Sequence, residues 1–93
     1  MDQRIAAKIA DTVNALKSLG AQEVYVFGSA ATGRMRDASD VDVAVSGIPA
    51  ERFLDAIGRA ADALGRSVDL VDLDEDTPFT RYLRREGELR RVG

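Results

Sequence analysis

Apolar residues recur over the first twenty positions at helical spacing. Ile5, Ile9, Val13 and Leu16 are separated by four, four and three residues, with Ala6 and Ala10 beside them. The pattern predicts an amphipathic helix over residues 2–19, with Asp2 as its N-cap and Gly20 where a helix-ending glycine belongs. The period then changes. Glu23 to Phe27 is a β-branched and aromatic run whose near-continuous apolar character predicts a buried strand, ended abruptly by Gly28-Ser29. Ala30, Ala31 and Thr32 suit a single helical turn stopped by Gly33, and residues 34–38 read as polar loop. Val41 to Val45 alternates as a second strand before a break at Gly47-Ile48-Pro49.

Residues 50–64 return to helical spacing, with Phe53, Leu54, Ile57, Ala61 and Leu64 expected on one face and Gly65 closing the helix. Ser67 to Leu73 predicts a third strand, with Val68 and Leu70 on one side and Asp69 and Val71 on the other. Thr77-Pro78 is a helix start, the threonine as N-cap and the proline at the first helical position. That helix would carry Phe79, Tyr82 and Leu83 inward and end near Gly87. The order predicts an α/β (α+β) sandwich, a small three-stranded mixed sheet flanked by about four helices, in one domain over residues 1–93.

Composition narrows the chemistry. The 45% apolar and 31% charged fractions belong to a folded globular domain. No apolar run reaches the roughly 20 residues that span a bilayer, and the charged N-terminal stretch is unlike a signal peptide, so a cytoplasmic protein is expected. The absence of cysteine removes disulfides, zinc thiolates and thiol nucleophiles, and the absence of histidine removes imidazole acid–base catalysis. Carboxylates, hydroxyls, Arg, Lys and metal ions remain. The net charge of −3 conceals an acidic middle, since residues 37–76 hold 11 Asp or Glu against 3 Arg. Such a surface suits cations better than nucleic-acid phosphates, so no direct nucleic-acid binding and no membrane association are expected. The arginines at 81, 84, 85, 90 and 91 read as a solvated helix face and tail, or as a surface for an acidic partner. The run Asp72-Leu73-Asp74-Glu75-Asp76 lacks the later glycine and glutamate of a calcium loop, and is expected to favour the N-terminus of the last helix.

One arrangement stands out. Asp40 and Asp42, two residues apart, share one face of the second strand while Val41, Val43 and Val45 share the other. Adjacent like charges repel, and a divalent cation reverses that cost. Gly28-Ser29 leaves a strand in a turn whose backbone N–H groups can cradle a phosphate. Asp69, on the third strand, would complete a carboxylate trio; it is preferred over Asp72 because it lies within the strand. The three elements together are the equipment of two-metal phosphoryl or nucleotidyl transfer. Separately, Gly28-Ser29 is an ordinary turn and Asp40-Val41-Asp42 an ordinary solvated strand end.

Gly28-Ser29, ten intervening residues, then Asp40-Val41-Asp42 resembles the GS-x10-DxD signature of the nucleotidyltransferase superfamily that includes DNA polymerase beta. A fixed four-residue pattern of this kind arises by chance on the order of once in a thousand chains of this length. The compact length, Ser39 before Asp40, and the SVDLVDL strand resemble its minimal members, the MNT proteins, many of them antitoxins encoded beside a HEPN-domain toxin. The resemblance runs over about residues 5–90 and implies the nucleotidyltransferase fold. It also implies that Gly28 and Ser29 bind the triphosphate of ATP, and that Asp40 and Asp42 hold two Mg²⁺ ions. Asp69 would be the third metal-binding carboxylate, able to take the proton of the acceptor hydroxyl. Many minimal members read GS-x-A-R-G at the turn; here Thr32 stands in place of that arginine, and Arg34 or Arg36 is the substitute source of positive charge for the nucleotide. The implied function is transfer of AMP to a protein hydroxyl, a tyrosine of a HEPN toxin held in a hetero-oligomer, as in type VII-like toxin–antitoxin pairs. Two alternatives stay open: an antitoxin that neutralises its partner by contact alone, and a nucleotidyltransferase subunit acting on a small molecule.

Overall fold

The computed structural model describes residues 3–28, 40–86 and 89–93. Helix α1 (Gln3–Ser18) leads into strand β1 (Glu23–Phe27) and strand β2 (Val41–Ser46). A 3-10 turn (Ala50–Arg52) opens into helix α2 (Phe53–Leu64), followed by strand β3 (Val68–Asp72), helix α3 (Pro78–Glu86) and strand β4 (Arg90–Arg91). The sheet order is β3-β2-β1-β4, with β2 and β3 parallel and the other two pairings antiparallel.

Helix α1 buries Ile9, Thr12, Val13 and Leu16. Thr12 is tolerated there because its hydroxyl donates to the Lys8 carbonyl at 2.8 Å. The helix ends in a Schellman motif: Gly20 N–H donates to Lys17 O and Ala21 N–H to Leu16 O, both at 3.1 Å. Gly20 has φ +117, a left-handed conformation that favours glycine. Helix α2 also stops at a left-handed glycine, Gly65, through a single bond from its N–H to Ala61 O at 2.8 Å. The predicted N-cap Asp2 and the helical turn at Ala30–Thr32 lie outside the described residues.

Strand alternation sorts the molecule into layers. Val24, Val26, Val41, Val43 and Val45 face α1 and α2, forming one aliphatic core with Ile9, Val13, Leu16, Ala56, Ala60 and Leu64. The opposite face carries a smaller cluster of Ala44, Leu73 and Leu83, with Tyr25, Phe27, Val71 and Leu89 packed against it. Helix α3 supplies Leu83 to that cluster, so α3 lies over the other side of the sheet from α1 and α2. Arg84 fastens it by donating from Nη2 to Leu73 O at 2.9 Å.

Three expectations need correction. The sheet has a fourth strand: Arg90 and Arg91, expected in a solvated tail, pair with Val26 and Tyr25 on the free edge of β1. The pairing continues outward through Val92 N–H to Val24 O at 2.9 Å and Val24 N–H to Gly93 O at 3.0 Å. Two arginines have no strand period; the exposed hydrogen-bonding edge of β1 recruits them. Among the described residues there are three α-helices and one 3-10 turn. Leu54 is 83% exposed, because the buried face of α2 runs through Ala56, Ala60 and Leu64. On α3, Phe79 and Tyr82 are each 49% exposed, while Thr80 and Leu83 are buried. Thr80 can turn inward because its Oγ1 donates to Glu75 O at 2.6 Å and accepts from Thr77 N–H at 3.0 Å.

Among the described residues, no helix is long and apolar enough to cross a membrane.

Candidate active site

The carboxylates meet through strand register. The aliphatic face of β2 must look toward α1 and α2, which turns Asp42 to the opposite face of the sheet. Phe27, the last residue of β1, pairs with Asp42, and Asp42 pairs with Asp69 on the parallel strand β3. Three neighbouring strands therefore present the Phe27-Gly28 turn, Asp42 and Asp69 in one row at the same edge of the sheet. Asp40 precedes β2 by one residue and is exposed there, as is Asp69; Asp42 is half-buried. Asp72 pairs with Val45, toward the far end of β2, and its Oδ1 accepts the Asp74 N–H at 2.9 Å. Register thus brings Asp69 rather than Asp72 beside Asp42.

Gly28 closes the row from above. Its φ is +66, and a β-carbon on it would collide with Asp42 Oδ2. Glycine is required twice over, once by the left-handed backbone and once by the carboxylate beneath it. Only a backbone without a side chain passes this close to Asp42, which is also what close approach to a phosphate demands.

The Asp42 carboxyl is raised above the ordinary value of 3.8, first by burial, then by the negative charges of Asp69 and Asp40. Asp42 thus lies within the field of both neighbouring carboxylates. As they stand, no three acidic side chains among the described residues are gathered tightly enough to enclose one metal ion. The donor set fits hard divalent cations: carboxylate oxygens on adjacent strand positions, with a mutual repulsion that a cation would relieve.

Ser29, Arg34 and Arg36, expected at the nucleotide, lie outside the described residues, as does Thr32. The acidic run after β3 has structural work of its own. Asp74 Oδ2 accepts the Gly47 N–H at 2.7 Å, and Asp76 pairs with Arg81 at 3.4 Å. One neighbour of the site was not anticipated: the Phe27 and Phe79 rings stand edge to face, centroids 6.3 Å apart. No local pattern joins residues so far apart in the chain, and Phe79 reads as a core residue until α3 is docked.

The family description "Polymerase beta, Nucleotidyltransferase" matches residues 8–89. No curated protein sequence matches the chain at a significant level. Among solved structures, the chain resembles a candidate minimal nucleotidyltransferase with a TM-score of 0.76 and 27% identity, over 94% of each chain. A toxin–antitoxin structure with AMP-PNP aligns at TM-score 0.69 and 27% identity, covering 90% of this chain and 70% of that one. A chain from the complex of a tri-AMPylated Shewanella oneidensis HEPN toxin with an MNT antitoxin aligns at TM-score 0.57 and 28% identity, covering 83% of this chain and 60% of that one.

Proposed function

The chain belongs to the polymerase beta nucleotidyltransferase family, and from that premise we propose that it transfers AMP from ATP to a hydroxyl of a HEPN-domain toxin, as the antitoxin of the pair. The observation that carries the proposal is the register that sets Asp42 beside Asp69 under the Gly28 turn. The two relatives seen with AMP-PNP and with an AMPylated HEPN toxin support the choice of nucleotide and partner. A tyrosine is the acceptor best suited to the reaction, its phenol being more acidic than an aliphatic hydroxyl. The setting would be the cytoplasm, where ATP and Mg²⁺ are at hand.

Asp40, Asp42 and Asp69 would hold two Mg²⁺ ions, whose chemistry is to neutralise the triphosphate and stabilise the charge that develops during displacement. Gly28 brings backbone close to the phosphates, with Ser29 adding a hydroxyl donor and Arg34 or Arg36 a cation. The acceptor oxygen attacks the α-phosphorus, its bond to the bridging oxygen breaks, and pyrophosphate leaves. Asp69, exposed at the edge of the row, takes the acceptor proton as general base. The single main core lies between the sheet and α1 and α2, on the face away from the carboxylates, so the acceptor would be presented by the partner rather than by a pocket of this chain.

The test is transfer of α-phosphate label from ATP to the co-expressed HEPN partner in the presence of Mg²⁺. Label should appear on a partner tyrosine and vanish with Asp42→Ala; label persisting in that variant would falsify the mechanism. Thr32, in place of the arginine common at this turn, favours a second reading in which contact alone neutralises the toxin. Under that reading an Asp40→Ala/Asp42→Ala double variant still protects cells from the partner.

A further inference from the structure

Aromatic residues are scarce in this chain, three Phe and two Tyr with no Trp, and their placement is uneven. The face packed by α1 and α2 is aliphatic, with Phe53 at its margin. Tyr25 and Phe27 point to the other face, the one that bears Asp42 and Asp69, and Phe79 and Tyr82 belong to the helix that lies over it. Four of the five aromatic residues thus accompany the carboxylates.

Among the described residues the exposed large apolar side chains are Leu54, Phe79 and Tyr82. Leu54 belongs to α2, across the sheet from the carboxylates. Phe79 is held differently. Its ring meets Phe27 edge to face, planes inclined by 61°, and Phe27 is both the residue before Gly28 and the register partner of Asp42. The contact fixes Phe79 at one side while half of it stays in water. It lies one ring contact beyond the strand position that precedes the Gly28 turn, on the face of the sheet that bears Asp42.

We propose that Phe79, braced by Phe27, is the stacking platform for the base of the nucleoside triphosphate, making it a substrate-binding residue of the site. This rests on the nucleotidyltransferase reading above and adds what that reading leaves open, namely how the base is held. A fixed aromatic ring offers a base a flat apolar surface with little ordering left to do on binding. A bare phenyl ring has no hydrogen-bonding edge, so it holds the base through stacking alone, whichever base that is. Tyr82, three residues on and equally exposed, brings a hydroxyl to the same stripe of α3.

The test compares two probes on the full chain with Mg²⁺: ATP, which carries a base, and inorganic tripolyphosphate, which does not. Phe79→Ala should weaken ATP by about 5- to 150-fold, the range measured when an aromatic side chain under a base is truncated, and leave tripolyphosphate unchanged. Phe79→Tyr should keep ATP affinity close to wild type. Phe79→Trp introduces the only tryptophan of the chain, and its fluorescence should be quenched by ATP and not by tripolyphosphate. Equal loss for both probes, or no loss for either, overturns the platform. So does a variant that binds ATP normally but loses the protein partner, since α3 would then be a docking face. A wild-type chain that binds neither probe overturns the nucleotidyltransferase reading itself; one that binds both with an unaltered ratio in Phe79→Ala overturns the platform alone.

Discussion

Gly28 passes so close over Asp42 that a β-carbon on the glycine would meet the Asp42 carboxylate oxygen Oδ2. The turn and the second strand are therefore one unit, and a change at either residue is felt at the other.

Gly28→Ala should destabilise the fold. The left-handed backbone at φ +66 opposes any β-carbon by roughly 1–2 kcal/mol, equivalent to a melting temperature lower by about 4–16 °C in a domain of this size. The collision with Asp42 adds to that. Combining Gly28→Ala with Asp42→Ala should recover part of the loss, because the second change removes the oxygen that the new methyl strikes. Thermal melts of the two single variants and the double variant measure the coupling; strictly additive losses would show that the contact is unimportant.

Asp42 should also make metal-free stability depend on pH. Its folded-state pKa is raised above 3.8, so the folded chain holds the proton more tightly than the unfolded chain does. The sign follows: stability from this group is greatest below 3.8 and is lost as pH rises through the raised folded value. At neutral pH the ionised Asp42 opposes folding, and Asp42→Asn should stabilise the metal-free protein. Opposed like charges are worth about 0.2–1 kcal/mol, or roughly 1–8 °C in melting temperature. The advantage should disappear in melts recorded below the ordinary carboxylate value. Saturating Mg²⁺ should stabilise the wild type and leave Asp42→Asn little changed.

Asp69→Asn and Asp72→Asn separate the two acidic positions of β3. Asp69 lies opposite Asp42 and Asp72 opposite Val45. Loss of a general base lowers rate by about 10²–10⁴-fold, and Asp69→Asn should do so in the label-transfer assay. Asp72→Asn should keep the rate within about twofold of wild type, giving up only its exposed turn contact with the Asp74 N–H. Equal losses in both variants would detach the proposed base from the row of carboxylates.

Removal of residues 90–93 should uncover the edge of β1. The segment contributes the bonds from Val92 N–H and Gly93 N–H to Val24 O and accepts the Val24 N–H at Gly93 O, and Val92 packs against the main core. At about 0.5–1.5 kcal/mol net per bond, the truncated chain should lose roughly 2–4 kcal/mol in urea unfolding, with aggregation through the bared strand. Unchanged stability would mean that β4 is an ornament on a complete three-stranded sheet.

Much of the site is local and hence legible in the chain alone. Asp40 and Asp42 fall on one face because strand side chains alternate, and Gly20 and Gly65 end their helices because the left-handed turn there disfavours a β-carbon. The spacing from Gly28-Ser29 to Asp40-Val41-Asp42 likewise needs nothing beyond the sequence. These features depend on covalent geometry and residue type over a few positions.

Everything that joins distant segments was decided by packing. Asp69 meets Asp42 because the valines of β2 and the apolar residues of β3 must reach the same core, which sets the register of two parallel strands. Thr80 turns inward and Phe79 outward because α3 docks where Thr80 finds the Glu75 carbonyl and Leu83 finds Ala44. Two arginines become a strand because β1 has an edge to pair. The sequence by itself determined which groups could do the chemistry. The fold determined which of them stand side by side, since that depends on one shared core rather than on any local period.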